Sequence, residues 1–161
     1  MIRVLTVFFA LIFLVGCVAN APSVTNERAT YNAQLGLAYV QQNNFAKAKE
    51  SLLLAMQQAP KNPLVIQSYA YFLEKTKQLT LAKIYYQKAL NLAPANGAVL
   101  NNQGAFLCRQ KKYRKGIKYL KKAASDINYA HANEAYRNAG FCAAMIPDKS
   151  LAKKFFKKVG K

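Results

Sequence analysis

Acidic residues are scarce. Six Asp and Glu stand against 24 Lys and Arg in 161 residues, a formal charge of +18. Histidine occurs once and cysteine three times. One imidazole and six carboxylates leave little material for metal binding or acid–base catalysis. Three cysteines exclude a disulfide-dense miniprotein. Glycine (7) and proline (5) are too few for a collagen-like or linker-dominated chain. Apolar residues are plentiful, at 53%, which excludes long-range disorder. The length suits one domain or a short repeat array. These proportions favour a basic binding or assembly protein over an enzyme.

Residues 1–16 differ from the rest. Arg3 supplies one positive charge, and Val4 to Val15 is an apolar run interrupted only by Thr6. The run is short of the roughly 20 residues that span a bilayer, but it has the length of a signal-peptide core. It ends in Leu14-Val15-Gly16-Cys17, which resembles the bacterial lipobox. The expectation is a lipoprotein signal peptide over 1–16 and acyl chains on Cys17, a stable anchor to the bilayer. Val18, where an Asp would retain a lipoprotein in the inner membrane, points to the outer membrane and a periplasmic orientation. Residues 18–28 read as a polar tether.

The body repeats every 34 residues. Gly36, Ala70 and Gly104 are 34 apart, as are Ala48, Ala82 and Gly116, and Ala55, Ala89 and Ala123. Large residues recur at Leu52, Tyr86 and Leu120, and at Tyr39, Leu73 and Leu107. Pro60 and Pro94 keep the same step and mark places where a helix must stop. This resembles the tetratricopeptide repeat (TPR), whose small residues let paired helices approach while large ones fill the gap. The fold expected is an all-α TPR superhelix of about four antiparallel helix pairs. The repeats run over 29–62, 63–96, 97–130 and 133–161, the last ending inside its second helix. The stretch 126–132 reads as a longer connection. The lysine-rich last helix, expected over 150–158, could serve as a polar cap.

Cys108 and Cys142 fall at places 12 and 10 of the third and fourth repeats. Two places are about 200° and 3 Å apart on a helix, so one side chain can point forward and the other back between neighbouring helices. A disulfide fits, in an exported chain. It would close a loop of about 34 residues and add roughly 3 kcal/mol. Two small buried thiols fit as well, and a Cα separation above about 7 Å would exclude the bridge. His131 with these cysteines is only a weak metal set. No catalytic triplet or phosphate-binding glycine loop is evident, so neither enzyme activity nor a cofactor beyond the Cys17 lipid is expected.

Residues 109–161 hold 15 Lys/Arg and 3 Asp/Glu. The bland reading is a solvated convex face. The functional ones are attraction to anionic phospholipid or cell wall, or to an acidic partner. Nucleic acid is not expected as a partner of an exported lipoprotein. TPR arrays hold peptides in a concave groove lined by the first helices. The register assigns Gln67, Tyr71, Asn101, Ala105, Arg109, Arg137 and Phe141 to that groove. Tyr71 and Phe141 would be apolar anchors, Asn101 would grip a peptide backbone, and Arg109 and Arg137 would pair with carboxylates.

A closer resemblance rests on two segments. Leu100-Asn101-Asn102-Gln103-Gly104-Ala105-Phe106-Leu107-Cys108 is similar to the "NNYG-x-FLC" signature of the type IV pilus biogenesis/stability family, PilW/PilF. Arg137-Asn138-Ala139-Gly140-Phe141-Cys142-Ala143 is similar to its "N-x-G-x-C-A" signature. Gln34-Leu35-Gly36-Leu37-Ala38-Tyr39 and the lipobox follow the same layout. The resemblance implies a pilotin: an outer-membrane lipoprotein that helps the secretin subunit localise and oligomerise, binding it and other pilus-assembly proteins without catalysis. It also supports the Cys108–Cys142 bridge. Gln103 departs from the family's aromatic, and members commonly carry about six repeats where this chain has four. The alternative is a general TPR scaffold lipoprotein for envelope or cell-wall assembly complexes.

Overall fold

A computed structural model describes residues 22–160. The expected signal segment 1–16 and the expected lipid site Cys17 lie outside the described residues. Among the described residues, eight helices form four successive hairpins: α1 (Pro22–Gln41) with α2 (Phe45–Gln58), α3 (Pro63–Lys75) with α4 (Leu79–Leu92), α5 (Gly97–Arg109) with α6 (Tyr113–Ala124), and α7 (Ala132–Ala144) with α8 (Lys149–Phe156). Each first helix touches the first helix of the next hairpin, whereas second helices do not touch one another. The odd helices therefore line the inner face of the superhelix and the even ones its outer face. Among the described residues, no helix is long and apolar enough to cross a membrane.

The turn inside each of the first three hairpins obeys the same period. Asn43, Lys77 and Lys111 adopt left-handed backbone, at φ of 58°, 65° and 60°. The amide after each reaches back five residues to the helix, in Asn44 N→Tyr39 O, Gln78 N→Leu73 O and Lys112 N→Leu107 O. Such a closure satisfies carbonyls that the helix end leaves orphaned, and it favours glycine at the left-handed position. In the fourth hairpin Met145 keeps right-handed backbone and Pro147 follows it. Starts are capped by side chains: Asn62 accepts from the Leu64 and Val65 amides, Asn96 from Val99 N, and Asp148 from Ser150 N and Leu151 N.

Within a hairpin, small residues set the helix distance. A Cβ on Gly104 would stand 2.9 Å from the Gly116 carbonyl oxygen and 2.6 Å from Leu120 Cγ. One on Gly116 would stand 2.8 Å from the Gly104 oxygen and collide with Cys108 Sγ. That close approach explains why these two helices accept glycine despite a cost of about 1 kcal/mol each. Between hairpins the core is continuous. Ala48, Leu52, Leu73 and Tyr86 pack in the first two repeats; Ile66, Leu90, Val99 and Ala135 bridge the middle; Leu120, Ala139, Ala152 and Phe155 fill the last two.

One expectation changes. A tether reaching to residue 28 is too long, because α1 is already helical at Pro22, and Asn26 in its second turn accepts a hydrogen bond from Asn62 Nδ2 (2.8 Å). Its polar residues read as linker because nothing in their local pattern announces a partner 36 residues away. The connection before α7, residues 125–131, has seven residues against four at 59–62 and 93–96. That length supplies the shift of the fourth repeat.

Candidate functional site

The odd helices enclose a concave hollow of about 420 Å³, lined by Leu37, Gln41, Gln67, Ser68, Tyr71, Asn102, Ala105, Arg109, Glu134 and Asn138. Four of the seven expected residues are there: Gln67, Tyr71, Ala105 and Arg109. Most of the missed ones obey the repeat. Ser68, Asn102 and Asn138 each stand one place after an expected residue or its equivalent, and Leu37 and Gln41 are the first-repeat counterparts of Tyr71 and Arg109. Glu134 matches none of the expected places.

Arg109 is already engaged. Its Nε donates to Glu74 Oε1 (2.5 Å) and its Nη2 to Glu74 Oε2 (2.8 Å). Glu74 is only 8% exposed, and it also accepts from the Tyr86 hydroxyl (3.1 Å). Two-point pairing of this kind fixes orientation as well as charge. Burial, and next the Glu74 charge, push the Tyr86 hydroxyl well above the usual phenol range. Burial opposes the Arg109 charge, but the hydrogen bond and charge of Glu74 outweigh it and raise its pKa. So Arg109 is first a clasp between α3 and α5, with its unpaired N–H groups left for a ligand. Tyr71, expected as an apolar anchor, has Lys75 Nζ 5.3 Å and the Arg109 guanidinium 6.0 Å from its ring centre. Its face is a seat for cations rather than a bare apolar contact.

Asn101 corrects the expectation that it grips a peptide. It is 2% exposed, donates to Glu134 Oε1 (3.2 Å) and accepts from Asn138 Nδ2 (3.0 Å). Its place in the repeat looks toward the next first helix, not into the hollow. Arg137 holds the equivalent place in α7 and does not line the hollow; it is exposed. Phe141 is also outside the hollow. It is 61% exposed and stands edge-on to Phe156 of α8, with ring centres 5.3 Å apart.

Cys108 and Cys142 form a disulfide, with Cα atoms 5.6 Å apart. It ties α5 to α7 behind the hollow. The weak metal set dissolves with it, since both sulfurs are consumed and His131 lies edge-on to Tyr129 at the start of α7. No group of three or more His, Cys, Asp or Glu gathers as a metal site among the described residues. Among the described residues, two buried side-chain acceptors have no hydrogen-bond partner, Gln67 Oε1 and Gln103 Oε1. An unmet buried acceptor costs about 1–3 kcal/mol. Gln103, at the place of the signature's aromatic, carries that cost. Gln67 lines the hollow, so an N–H donor bound there would satisfy it.

The TPR family model (tetratricopeptide repeat) matches residues 29–62 and 65–96. The chain is 31% identical over 165 residues to the type IV pilus assembly protein PilF of Pseudomonas aeruginosa, covering 98% of this chain and 65% of PilF. The solved structure of Pseudomonas aeruginosa PilF superposes with a TM-score of 0.76 at 30% identity, over 84% of this chain and 61% of that one. The chain belongs to the PilF/PilW family. The crystal structure of PilW, a type IV pilus biogenesis factor, superposes with a TM-score of 0.74 at 27% identity, over 81% of this chain and 60% of that one. This PilF/PilW chain thus spans less than two thirds of the length of those relatives. Its fold is the TPR superhelix, as the repeat arithmetic implied.

Proposed function

We propose that this chain is a non-catalytic TPR lipoprotein of type IV pilus biogenesis, acting as a pilotin for the outer-membrane secretin. One observation carries the reading: the similarity to PilF, at 31% identity, spans 98% of the chain, a stretch that includes both hollow and clasp. Acyl chains on Cys17 anchor it to the outer membrane, facing the periplasm. The hollow holds an extended secretin segment, whose backbone amide meets Gln67 Oε1 and whose carbonyls meet the Asn102 amide and the free Arg109 N–H groups. The lining is rich in amides and short of apolar surface, which suits a peptide backbone better than a small apolar molecule.

Deleting the gene is expected to abolish secretin multimers and surface pili, and Cys17→Ala is expected to mislocalise the protein and reduce multimers. Unchanged multimers in the deletion strain would refute the role. Ala105→Arg fills the hollow from a half-exposed position. It is expected to abolish co-purification of the secretin while leaving the helical fold intact. Co-purification with cell-wall hydrolases and no secretin would favour the general scaffold instead.

A further inference from the structure

We infer that the outer face of α6 is an electrostatic docking surface for a bilayer that contains anionic phospholipid. The inference rests on α6 itself and is independent of the pilus role.

Second helices share one structural task, to cover the outside of the superhelix. α2 does so with Lys47, Lys49 and Glu50, and α4 with Lys83 and Lys88. In α6, Arg114, Lys115, Lys118, Lys121 and Lys122 are all exposed, and no acid is present on the helix. Lys111 and Lys112 extend the charge into the turn before it. Solvation alone does not need this density, since α2 and α4 manage with far less; the short α8, with Lys149, Lys153 and Lys154, is the nearest parallel.

The arrangement is also unfavourable to the helix. Arg114/Lys118, Lys118/Lys121 and Lys118/Lys122 stand three or four residues apart, where like charges repel. Arg114 and Lys115 sit in the first turn, at the positive end of the helix dipole, and no side chain caps that end. None of the five is in an ion pair; the one salt bridge among the described residues is Arg109–Glu74. Arg114 acts on the charge of Asp148, but that carboxylate is engaged in capping α8. An external anionic surface would relieve all of these repulsions together.

Shape favours a plane over a peptide. Arg114, Lys118, Lys121 and Lys122 rim one shallow hollow, and Lys111, Lys112, Arg114 and Lys115 rim a second that shares Arg114. The two make one basic strip along a convex helix that neither α4 nor α8 touches. A flat headgroup layer meets such a strip at many points at once, and each lysine near it gains about five-fold in binding.

The test is co-sedimentation of the full chain with phosphatidylcholine vesicles, with or without one quarter phosphatidylglycerol. The ratio between the two cancels any binding through the apolar first residues. A ratio of at least about tenfold is expected in 50 mM salt, collapsing in 500 mM salt as screening shortens the field. Lys118→Glu/Lys121→Glu/Lys122→Glu is expected to bring the ratio close to one. Lys61→Glu/Lys83→Glu/Lys88→Glu changes the net charge equally on another outer surface and is expected to keep most of it. Circular dichroism establishes that each variant is folded; if the α6 reversal unfolds, the corresponding Lys→Gln triple variant replaces it. Equal losses in the two triple variants would reduce the effect to net charge and overturn the inference. So would a ratio near one in the parent. Stronger α6-dependent binding to an oligoglutamate peptide than to the anionic vesicles would assign the strip to an acidic partner and overturn it as well.

Discussion

Two joints of this array solve the same problem by different chemistry. At the joint of the second and third repeats, Glu74 of α3 holds Arg109 of α5 by a two-point ion pair. At the joint of the third and fourth, Cys108 of α5 is bonded to Cys142 of α7. Glu74 and Cys108 are 34 residues apart, so they occupy one place in the repeat. Each joint also has a tyrosine whose hydroxyl is raised first by burial and then by a nearby glutamate: Tyr86 by Glu74, Tyr129 by Glu134. The place next to the hinge between first helices is therefore the adjustable one. The packing around it is fixed by the small and large residues of the period, and the clasp can be ionic or covalent. Solenoid stability is a sum over neighbouring units, so each clasp acts mainly on its own joint.

The covalent joint should break hardest. Cys108→Ser/Cys142→Ser is expected to lower stability by about 3–4 kcal/mol, as loop entropy returns to the unfolded chain. In hydrogen exchange the loss of protection should concentrate in α7 and α8 and spare α1 and α2. Reductant should reproduce this in the parent and do nothing further to the variant. Equal loss at both ends of the array would mean that the joints are not independent.

The ionic joint should be weaker. Glu74→Gln leaves Arg109 without its counter-charge, but the guanidinium side chain is 47% exposed, and water takes over part of the loss. A cost of about 1–2 kcal/mol is expected, read by urea unfolding, with protection lost around α3 and α5. A loss as large as the disulfide's would erase the distinction.

Alkali separates the joints another way. Tyr129 is pushed up to about 12 by burial and then by Glu134. The folded state holds that proton more tightly than the unfolded state, whose phenol titrates near 10. The stabilisation is fully present below pH 10 and is lost as pH rises from 10 towards 12. Tyr129→Phe should flatten that part of the stability curve relative to the parent, measured by thermal unfolding at stepped pH.

The smallest expected effect is a gain in the turns inside two hairpins, away from either joint. Lys77 and Lys111 hold left-handed backbone at the ends of α3 and α5. Lys77→Gly and Lys111→Gly should each stabilise by about 0.5–1 kcal/mol, since glycine carries no steric penalty there. A gain at one and a loss at the other would show that the two turns are not equivalent.

Legibility in the sequence followed the range of each interaction. The hairpins were legible because every repeat restates them: Gly104 needs Gly116 and Leu120, twelve and sixteen residues away, inside one unit. The cysteines were legible as a fitting pair because their two places face each other across a joint. The hollow was half legible. Tyr71 and Ala105 came out of the register, whereas Asn101 turned out to be buried and Arg109 already clasped. Glu74, an acid at a place where the next repeat has a cysteine, gave no signal of its own.

Period alone therefore determined the helical hairpins, their number, and which faces are inner and outer, because those depend on contacts each unit makes within itself. Which inner side chains stay free for a ligand was decided only in three dimensions. The deciding contacts span 33 residues for Asn101–Glu134, 35 for Glu74–Arg109 and 37 for Asn101–Asn138. None is the repeat length. Each pair joins one first helix to the next at places that differ in the repeat, so a residue's own register does not name its partner, and only the packed array does.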